Sequence, residues 1–385
     1  MPTRRTVLLA SAGALLGTGP GAAPAAAHGG PGRWGRYGSP TARLDPRTLY
    51  VDPEGHGDHT TVQAAVTATP TGTTAETGWT LVLAPGTYRE TVTVPPSRPH
   101  LTLIGASRRA RDTVLVYDNA AGTPKPGGGT LGTTGSATAA LQADGLTAYD
   151  ITFANDWLRA DHPGSTGTQA VAAKVTGDRC AFHRCRFLGH QDTLYADTAA
   201  LAVTARQYYG HCHIEGDVDF VFGRATAVLE HCRLHTLGRT DLAAPPLGFV
   251  FAPSTARTTA YGFLATRCTV TSAAADGAYR LARPWVPSSD PTARPMLTVR
   301  GSWLGPGVDA ATPYATMSNS YPWQQQRFAE YANEGPGALI ADPAERPQLT
   351  AAQAGLLTRE SHLLGADGWR PWDDRPSAGR TGGDR

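Results

Sequence analysis

The chain is poor in charge, and beyond its N-terminus it lacks any long apolar segment. Charged residues make up 17% of its 385 residues, and the formal net charge is only +2. So mild a charge does not indicate a nucleic-acid partner, although it is compatible with an anionic polymer. No stretch after the N-terminus approaches the roughly 20 apolar residues of a transmembrane helix. The sequence therefore predicts neither nucleic-acid binding nor a membrane span in the mature protein.

Helical periodicity is also scarce, whereas turn-forming residues are abundant. The chain has 44 Gly and 30 Pro, and short apolar runs alternate with turns along most of its length. Predicted strands include Thr113–Tyr117, Tyr149–Phe153 and Val228–Leu234. Only Val62–Ala68 and Ala351–Leu357 indicate helices, which we expect to be short caps. The composition predicts an all-β fold of many short strands.

The first residues have the three parts of an export signal. Arg4 and Arg5 precede an apolar stretch at Val7–Leu16, and small residues lead to a cleavage site after Ala27. The paired arginines favour the twin-arginine type of signal. An uncleaved membrane anchor is the alternative interpretation. We expect a signal peptide over residues 1–27 and a secreted, extracellular protein without membrane contact after cleavage.

The rest of the chain has the pattern of one domain between two polar ends. Segment 28–47 is rich in Pro and Gly and is predicted to be a linker, and segment 373–385 is predicted to be a disordered tail. No linker interrupts residues 48–372, so we expect a single β domain there. Export would permit disulfides, but the cysteine count of five leaves at least one thiol unpaired.

An internal repeat indicates how the strands are arranged. Cys185–Asp192 aligns without gaps on Cys212–Asp219, 27 residues later, with the cysteine, glycine and aspartate at matching positions. Weaker copies begin at Cys232, Cys268 and Gly301. Irregular repeats of this size with short strands are typical of stacked coils, as in a single-stranded β-solenoid. The sequence therefore predicts a parallel β-helix.

The repeat places Asp192 and Asp219 at the same position of neighbouring coils. Strands of successive coils are about 4.8 Å apart, so the two carboxyl groups should lie only a few ångströms apart. Two carboxylates that close do not both ionise readily, and one pKa should rise while the other stays low. Such a pair supplies a nucleophile and a proton donor. Two unrelated turn aspartates are the alternative interpretation.

Several segments around these aspartates resemble the signatures of one enzyme family. Gly189–Tyr195, Gly216–Gly223 and Leu281–Trp285 are similar to three signature segments of pectin methylesterases. Further segments that resemble the family are Val51–Asp58, Gly86–Glu90, Gln169–Val171, Gly177–Arg179 and Glu330–Ala338. The resemblance implies a right-handed parallel β-helix with a sugar-binding cleft along one face. It also implies hydrolysis of the C6 methyl esters of methylated homogalacturonan (pectin) to pectate and methanol.

The resemblance implies a role for five side chains. Asp219 is similar to the nucleophile that attacks the ester carbonyl, and Asp192 to the acid that protonates methanol and then activates water. Gln169 and Gln191 resemble the amide donors of the oxyanion site, each worth roughly 3–4 kcal/mol in the transition state. Arg283 resembles the partner that holds Asp219 ionised. By residue type alone, the two glutamines would be ordinary buried amides. The chemistry needs no metal or other cofactor.

Aromatic side chains near these motifs suit a platform for sugar rings. Tyr195, Phe222 and Trp285 are expected to stack on the apolar faces of pyranose rings. Packing inside the β-helix is the alternative interpretation for Phe222. Thr138 resembles a position in the family's cleft, so we expect all four side chains to bind substrate. We expect the enzyme to be a monomer.

Histidines and cysteines cluster at His211, Cys212, His213, His231 and Cys232, which raises the alternative of a zinc site. Strand alternation argues against zinc, because Cys212 faces away from the side shared by its two histidine neighbours. Cys212 and Cys232 lie one coil apart, and bacterial relatives that the sequence resembles have such a pair. We therefore predict a disulfide between these two cysteines, and no metal.

Three residues depart from the family's pattern. Ala282 stands where Gly is usual, Asp217 where Thr is usual, and Arg224 where Asn is common. Ala282 would matter if its backbone needed a positive φ, which Gly adopts most readily. None of the three removes a catalytic group, but each could shift the activity or the pH optimum.

Two other functions compete with the esterase. A β-helix glycosidase such as a polygalacturonase also uses two close carboxylates, but it has no need for Gln169, Gln191 and Arg283. A carbohydrate-binding protein that had lost its chemistry would be expected to have lost at least one of these groups or of the two aspartates. Both alternatives are weaker than the esterase.

Overall fold

The computed structural model describes residues 45–373. The predicted signal peptide over 1–27 lies outside these residues, as do most of the predicted linker over 28–47 and of the predicted tail over 373–385. Within the described range, no helix is long and apolar enough to cross a membrane.

The strands form three sheets, and neighbouring strands in each sheet run parallel. The ten-stranded sheet consists of Thr48–Val51, Trp79–Leu83, Leu101–Gly105, Thr147–Tyr149, Cys180–His183, Arg206–Gly210, Thr226–Glu230, Phe263–Thr266, Met296–Arg300 and Arg327–Tyr331. The eight-stranded sheet consists of Gly86–Arg89, Thr113–Tyr117, Thr152–Asn155, Arg186–Leu188, His213–Gly216, Arg233–Thr236, Thr269–Ser272 and Trp303–Leu304. The seven-stranded sheet consists of Val92–Val94, Ala139–Leu141, Ala173–Val175, Leu194–Ala196, Val221–Gly223, Gly248–Pro253 and Tyr279–Ala282.

One coil takes one strand from each sheet, in the order ten-, eight- and seven-stranded. Successive strands of a sheet therefore belong to successive coils, and equivalent residues stack along the axis. This architecture confirms the predicted parallel β-helix. Its regular coils continue beyond Gly301, the last repeat copy recognised in the sequence, to the strand Arg327–Tyr331.

The interior is apolar because alternate strand residues point inward and stack on their equivalents. Phe153 and Phe187 are register partners in the eight-stranded sheet, and their rings stack with centroids 5.5 Å apart. Phe182 and Tyr209 stack in the same way in the ten-stranded sheet, 5.1 Å apart. Burying each such side chain stabilises the fold by about 1.5–3 kcal/mol.

Helices are short and few among the described residues. The α-helices are Val62–Ala68, Gly132–Gly135, Ala351–Leu356 and Arg359–Leu363. The 3₁₀ turns are Ala110–Asp112, Arg159–Asp161, Trp323–Gln325, Pro336–Ala338 and Pro371–Asp373. Both predicted helices are confirmed, although the second ends one residue early. The first begins where the Thr61 hydroxyl accepts from the Ala64 amide, and it buries its apolar face against the first coil.

The first strand of the ten-stranded sheet is covered along its outer edge. The amides of Asp58 and His59 donate to the Tyr50 carbonyl at 2.7 and 3.2 Å. The Asp58 carboxylate in turn accepts from the Tyr50 amide at 2.9 Å. The segment that follows the strand therefore occupies its unpaired backbone groups.

The last strand of the same sheet is covered in a similar way. The Glu330 amide donates to the Pro347 carbonyl, and the Leu349 amide donates to the Glu330 carbonyl, both at 2.8 Å. Arg346, which is fully buried, donates to both carboxylate oxygens of Glu330 at 3.0 and 2.9 Å. This buried ion pair fastens the covering segment to the strand.

Two-residue turns join the ten-stranded sheet to the eight-stranded sheet and stack from coil to coil. We call them the cysteine turns. Their first residues have φ between 53° and 56°, in the left-handed region, and they are Asp150, Arg184, His211, His231 and Arg267. Their second residues are buried, and they are Ile151, Cys185, Cys212, Cys232 and Cys268.

The predicted strand Thr113–Tyr117 is confirmed. Tyr149–Phe153 and Val228–Leu234 are wrong as single strands, because each contains a cysteine turn.

The predicted disulfide between Cys212 and Cys232 is not formed in this structure, in which all five cysteines are free and buried thiols, and it stays a prediction for the exported protein. Equivalent residues on stacked parallel strands lie about 4.8 Å apart, which is within the Cα separation of a disulfide, so spacing alone does not decide the pairing. The Cys212 thiol donates instead to the Phe182 carbonyl, and the Cys232 thiol to the Tyr209 carbonyl.

The histidines next to these cysteines point to the other side of the chain. His211 and His231 stack with ring centroids 5.0 Å apart, while Cys212 and Cys232 face the core. Among residues 45–373, the group whose ligand atoms are close enough to hold a metal is Asp52, Glu54 and His56, far along the sequence from this cluster. The zinc alternative therefore finds no geometric support at the cysteine turns.

Candidate active site

Asp192 and Asp219 lie in the turns that join the eight-stranded sheet to the seven-stranded sheet, and we call these two turns the aspartate turns. The strands that follow are partners with Leu194 opposite Val221. The Asp192 amide donates to the Val218 carbonyl at 2.9 Å. The two aspartates therefore occupy equivalent positions on successive coils, as the 27-residue repeat predicts.

Both aspartates have a left-handed backbone, with φ of 66° at Asp192 and 51° at Asp219. A left-handed residue breaks the strand alternation, so neighbouring side chains in the turn are not forced onto opposite faces. Aspartate tolerates this conformation better than most residues do. Both side chains are more than nine-tenths buried.

Arg283 fixes the orientation of Asp219. Its Nε donates to Oδ1 of Asp219 at 2.8 Å, and its Nη2 donates to Oδ2 at 2.6 Å. The guanidinium carbon also lies 4.0 Å from the ring centroid of Phe249, which comes from the coil between them. A planar, two-point contact of this kind defines both the position and the plane of the carboxylate.

The surroundings of the two carboxyl groups separate their proton affinities. Burial raises the pKa of Asp192 well above its ordinary value, and the nearby charge of Asp219 raises it further. Burial also raises the pKa of Asp219, while the hydrogen bonds and charge of Arg283 oppose that rise. The prediction that one pKa stays low is therefore wrong, because burial outweighs Arg283. The order of the two is as predicted, because the pKa of Asp192 is raised further than that of Asp219.

Gln169 and Gln191 precede the seven-stranded sheet on successive coils. The Ala170 amide donates to the Gln191 carbonyl at 3.1 Å, which aligns the two segments. The Thr168 hydroxyl donates to Oε1 of Gln191 at 2.7 Å, so the NH₂ group of that amide is left as the free donor. No described residue hydrogen-bonds the side-chain amide of Gln169. Both amides are partly exposed and therefore have donors available to a ligand.

The predicted aromatic residues come together on the outer face of the seven-stranded sheet. Tyr195 and Phe222 are register partners, and their rings stack with centroids 4.1 Å apart. Trp285 packs at 6.1 Å from the first ring and 5.7 Å from the second. Tyr195 and Phe222 are largely buried in this cluster, whereas Trp285 is only partly buried. Trp285 is thus the ring with the most exposed surface in this cluster, and the other two pack against it.

Thr138 does not join the other predicted binding residues. It is fully buried, and its hydroxyl donates to the Ala154 carbonyl at 2.8 Å. A side chain with no exposed surface and a satisfied hydroxyl makes no contact with a bound ligand. In this structure Thr138 therefore has a packing role, contrary to the prediction from the sequence.

Asp217 adds a third buried carboxylate to the aspartate turns. Its Oδ1 accepts from the Val218 amide at 2.7 Å, and its Oδ2 lies 3.3 Å from both Nδ1 of His190 and Nη1 of Arg159. Burial would raise the pKa of Asp217, but its contacts with these two partners lower it. Asp217 therefore stays charged, and its charge raises the pKa of both Asp192 and Asp219.

The other two departures from the family's pattern cause no backbone strain. Ala282 is buried at the end of a strand and does not have a positive φ, so the position does not require glycine. Arg224 lies 2.9 Å from Asp197 as an ion pair, although the two groups are not aligned for a hydrogen bond.

Sequence reasoning missed Thr168 and Arg159, which hold Gln191 and Asp217. Both lie in the long connection between Thr152–Asn155 and Ala173–Val175, outside the repeat. Thr168 directly precedes a matched motif, which is a usable signal. Arg159 is 58 residues from its partner, and no local pattern connects the two.

Comparisons with known proteins agree with this geometry. The family model named Pectinesterase matches residues 48–354. Pectinesterase 31 of Arabidopsis thaliana is 38% identical over 338 residues, which cover 85% of this chain and 95% of that protein. The solved pectin methylesterase PemA from Erwinia chrysanthemi is 29% identical with a TM-score of 0.73, over 84% of this chain and 97% of its own. A pectin methylesterase solved in complex with a hexasaccharide is 28% identical, with the same TM-score and coverage.

The match extends over the aspartate turns, the partner Arg283 and the aromatic cluster alike. It separates the esterase from the glycosidase, which shares the close carboxylates. The chain belongs to the pectinesterase family of carboxylic ester hydrolases.

Proposed function

We propose that this pectinesterase demethylates homogalacturonan through a covalent intermediate on Asp219, with Asp192 as acid and then as base. The observation that carries the proposal is the stacked pair of buried aspartates, of which Asp219 alone is clamped by Arg283. One carboxyl group is thereby held ionised and aimed, while the other keeps the proton. Nucleophilic ester cleavage needs these two states side by side.

In the first half-reaction, a carboxylate oxygen of Asp219 attacks the C6 carbonyl carbon of a methylated galacturonate. The carbonyl π electrons move to the oxygen, and the side-chain amides of Gln169 and Gln191 donate to that oxyanion. When the tetrahedral intermediate collapses, the C6–O bond to the methoxy group breaks. Protonated Asp192 gives its proton to the departing oxygen, and methanol leaves. The product is a mixed anhydride between Asp219 and the sugar.

In the second half-reaction, the Asp192 carboxylate accepts a proton from water as that water attacks the anhydride carbonyl. The same amides stabilise the second oxyanion. The bond to the Asp219 oxygen then breaks, which leaves Asp219 ionised and Asp192 protonated as at the start, and the released galacturonic acid loses its proton to solvent. Burial of Asp192 makes it a competent acid near neutral pH and strengthens it as a base in the second step.

The substrate follows from the aromatic cluster and from the relatives. A solved neighbour binds a hexasaccharide, and Trp285 offers a partly exposed ring beside the aspartates. We infer a polymeric substrate whose sugar rings lie on this aromatic cluster. The export signal predicted over residues 1–27 would bring the enzyme to extracellular pectin, where it would act as a monomer.

Methanol release from highly methylated pectin tests the proposal, with reducing-end release measured in the same samples. The wild-type enzyme should release methanol without new reducing ends. Asp219→Asn should lower methanol release by about four orders of magnitude or more, because the nucleophile is lost. Arg283→Lys should lower it about 10²-fold, since a point ammonium cannot clamp both carboxylate oxygens.

Two further measurements test the covalent intermediate and the specificity of the substitutions. Rapid-quench mass spectrometry should detect the sugar anhydride on the peptide that contains Asp219. Lys125→Met, in an exposed loop, serves as a variant expected to keep full activity. Near-normal turnover in the Asp219→Asn enzyme, or reducing ends appearing in step with methanol, would contradict the proposal.

A further inference from the structure

Lysine is rare in this protein, and one lysine lies beside the aromatic cluster. Only two of the 34 basic residues are lysines, Lys125 and Lys174. Lys174 is the register partner of Tyr195, which is in turn the partner of Phe222. The three side chains therefore form one row across the outer face of the seven-stranded sheet, at intervals of about 4.8 Å.

The ammonium of Lys174 has no acidic partner of its own. Its Nζ lies 5.2 Å from the ring centroid of Tyr195 and 3.4 Å from Oγ1 of Thr134. Among residues 45–373, no carboxylate oxygen lies within 4.0 Å of it. The acid that acts on it from farther away, Asp197, is already paired with Arg224 at 2.9 Å.

This environment differs from that of most cations in the site. Arg283 and Arg159 are each bound to a buried carboxylate. Lys174 is about half-buried, and burial together with the nearby charge of Arg224 lowers the pKa of its ammonium. A partly desolvated cation with spare donors is a group that gains from an incoming anion.

We propose that Lys174 binds the free carboxylate of an already demethylated galacturonate unit, next to the unit whose ester is cleaved. The proposal rests on the proposed function, since only there does the bound polymer carry both esters and carboxylates. A C6 methyl ester is neutral and cannot ionise, whereas a C6 carboxylate offers two charged oxygens to the ammonium. The row of side chains places this ammonium one strand spacing from Tyr195, which is close to the length of one sugar unit.

The consequence concerns the pattern of demethylation. Each turnover converts a neutral ester to a carboxylate, and that carboxylate is the group Lys174 prefers at the neighbouring position. The product of one cleavage therefore improves binding of the adjacent ester. The enzyme should favour esters next to carboxylates and leave contiguous demethylated stretches.

Direct binding tests the proposal independently of catalysis. Calorimetry should measure the affinity of a fully de-esterified hexagalacturonate and of its fully methylated counterpart for the Asp219→Asn enzyme, alone and combined with Lys174→Met or Lys174→Arg, because an active enzyme would hydrolyse the methylated oligomer. Lys174→Met should bind the de-esterified oligomer about tenfold more weakly, the loss expected for one hydrogen-bonded charge pair. Lys174→Arg should recover part of this affinity, and added salt should reduce the difference.

The matched control is Lys125→Met, which removes the other lysine and should leave both affinities unchanged. In the catalytic assay, the ratio of kcat/KM on partly de-esterified pectin to that on fully methylated pectin should fall in Lys174→Met. Equal losses for both oligomers, or no loss for the acidic one, would overturn the assignment to carboxylate recognition. Absence of methanol release by the wild type would instead refute the proposed function, and it would leave the binding result standing.

Discussion

The cysteine turns and the aspartate turns have the same left-handed backbone, but the side chains that they stack interact in opposite ways. Both place left-handed residues at equivalent positions of successive coils. In the cysteine turns, the stacked neighbours make favourable contacts: Arg184 donates to both oxygens of Asp150 at 2.8 and 2.7 Å, and the ring of His211 stacks on that of His231. In the aspartate turns, the stacked neighbours are two carboxyl groups of the same sign.

The comparison shows that coil stacking itself is indifferent to function. A β-helix holds equivalent side chains about one strand spacing apart, whatever those side chains are. Complementary neighbours stabilise the fold, whereas identical acids raise each other's proton affinity and store unfavourable electrostatic energy. Three substitutions test this contrast, each in one set of turns.

The largest effect is expected at Asp192, where Asp192→Asn should raise stability while it removes activity. Methanol release should fall about 10²–10⁴-fold, because the acid and the base are both lost. The pKa of Asp192 is raised in the folded protein, so its protonated side chain contributes stability that is fully present below about pH 4. This contribution is lost as the pH rises through the pKa that Asp192 has in the folded protein. Asparagine cannot ionise, so the gain in Tm should grow with pH.

Thermal unfolding of both proteins between pH 4 and pH 8 measures this dependence. Equal Tm differences at every pH would show that Asp192 carries no electrostatic cost. A lower Tm for Asp192→Asn than for the wild type at high pH would contradict the expected gain in stability.

An intermediate effect is expected in the cysteine turns, where Arg184→Met should reduce stability without changing the chemistry. It leaves the buried carboxylate of Asp150 without its two-point partner, which costs about 1–3 kcal/mol, toward the lower end because Arg184 is partly exposed. Activity per folded molecule should not change. Urea unfolding and methanol release on the same preparation measure the two quantities.

Arg267→Met is the matched control for this substitution. It alters the same position three coils farther along, but its partner Glu230 keeps a second cation, Arg359, at 2.8 Å. The loss of stability should therefore be smaller than for Arg184→Met. Equal losses of stability in the two variants would mean that a second cation beside the buried acid does not reduce the effect of removing the first.

The smallest effect is expected at Asp217, where Asp217→Asn should shift the pH profile more than it lowers the maximum rate. Removing this charge lowers the pKa of both Asp192 and Asp219, so both limbs of the profile should move to lower pH. Asp241→Asn is the control, since Asp241 contacts Arg159 and Arg239 but not the aspartates. A lowered maximum with unmoved limbs would indicate a purely structural role for Asp217.

The repeat was enough to predict the pairing of Asp192 with Asp219, because register in a solenoid follows directly from sequence spacing. It could not reveal the strand boundaries, since residues such as His211 and Arg184 adopt a left-handed backbone without the Gly or Pro that usually announces a turn. Stacking on the neighbouring coil stabilises that backbone, and this contact is invisible locally.

Other parts of the site depended on information beyond spacing. Arg283 was predicted from the family resemblance, and the structure adds the geometry of its clamp on Asp219. The contact between Thr168 and Gln191 forms through a long connection whose path is set by packing. The disulfide predicted from the spacing of Cys212 and Cys232 is not formed in this structure, where both thiols donate to backbone carbonyls instead.

The covered ends of the ten-stranded sheet decide whether this molecule can remain separate from its copies. The end strand of a parallel solenoid has unpaired backbone groups that can hydrogen-bond to a strand of another molecule. An uncovered end would therefore allow chains to add one after another into a fibre. Here the Tyr50 backbone is occupied by Asp58 and His59, and the Glu330 backbone by the segment that Arg346 fastens. Those contacts turn a structure that could grow without limit into one of fixed length.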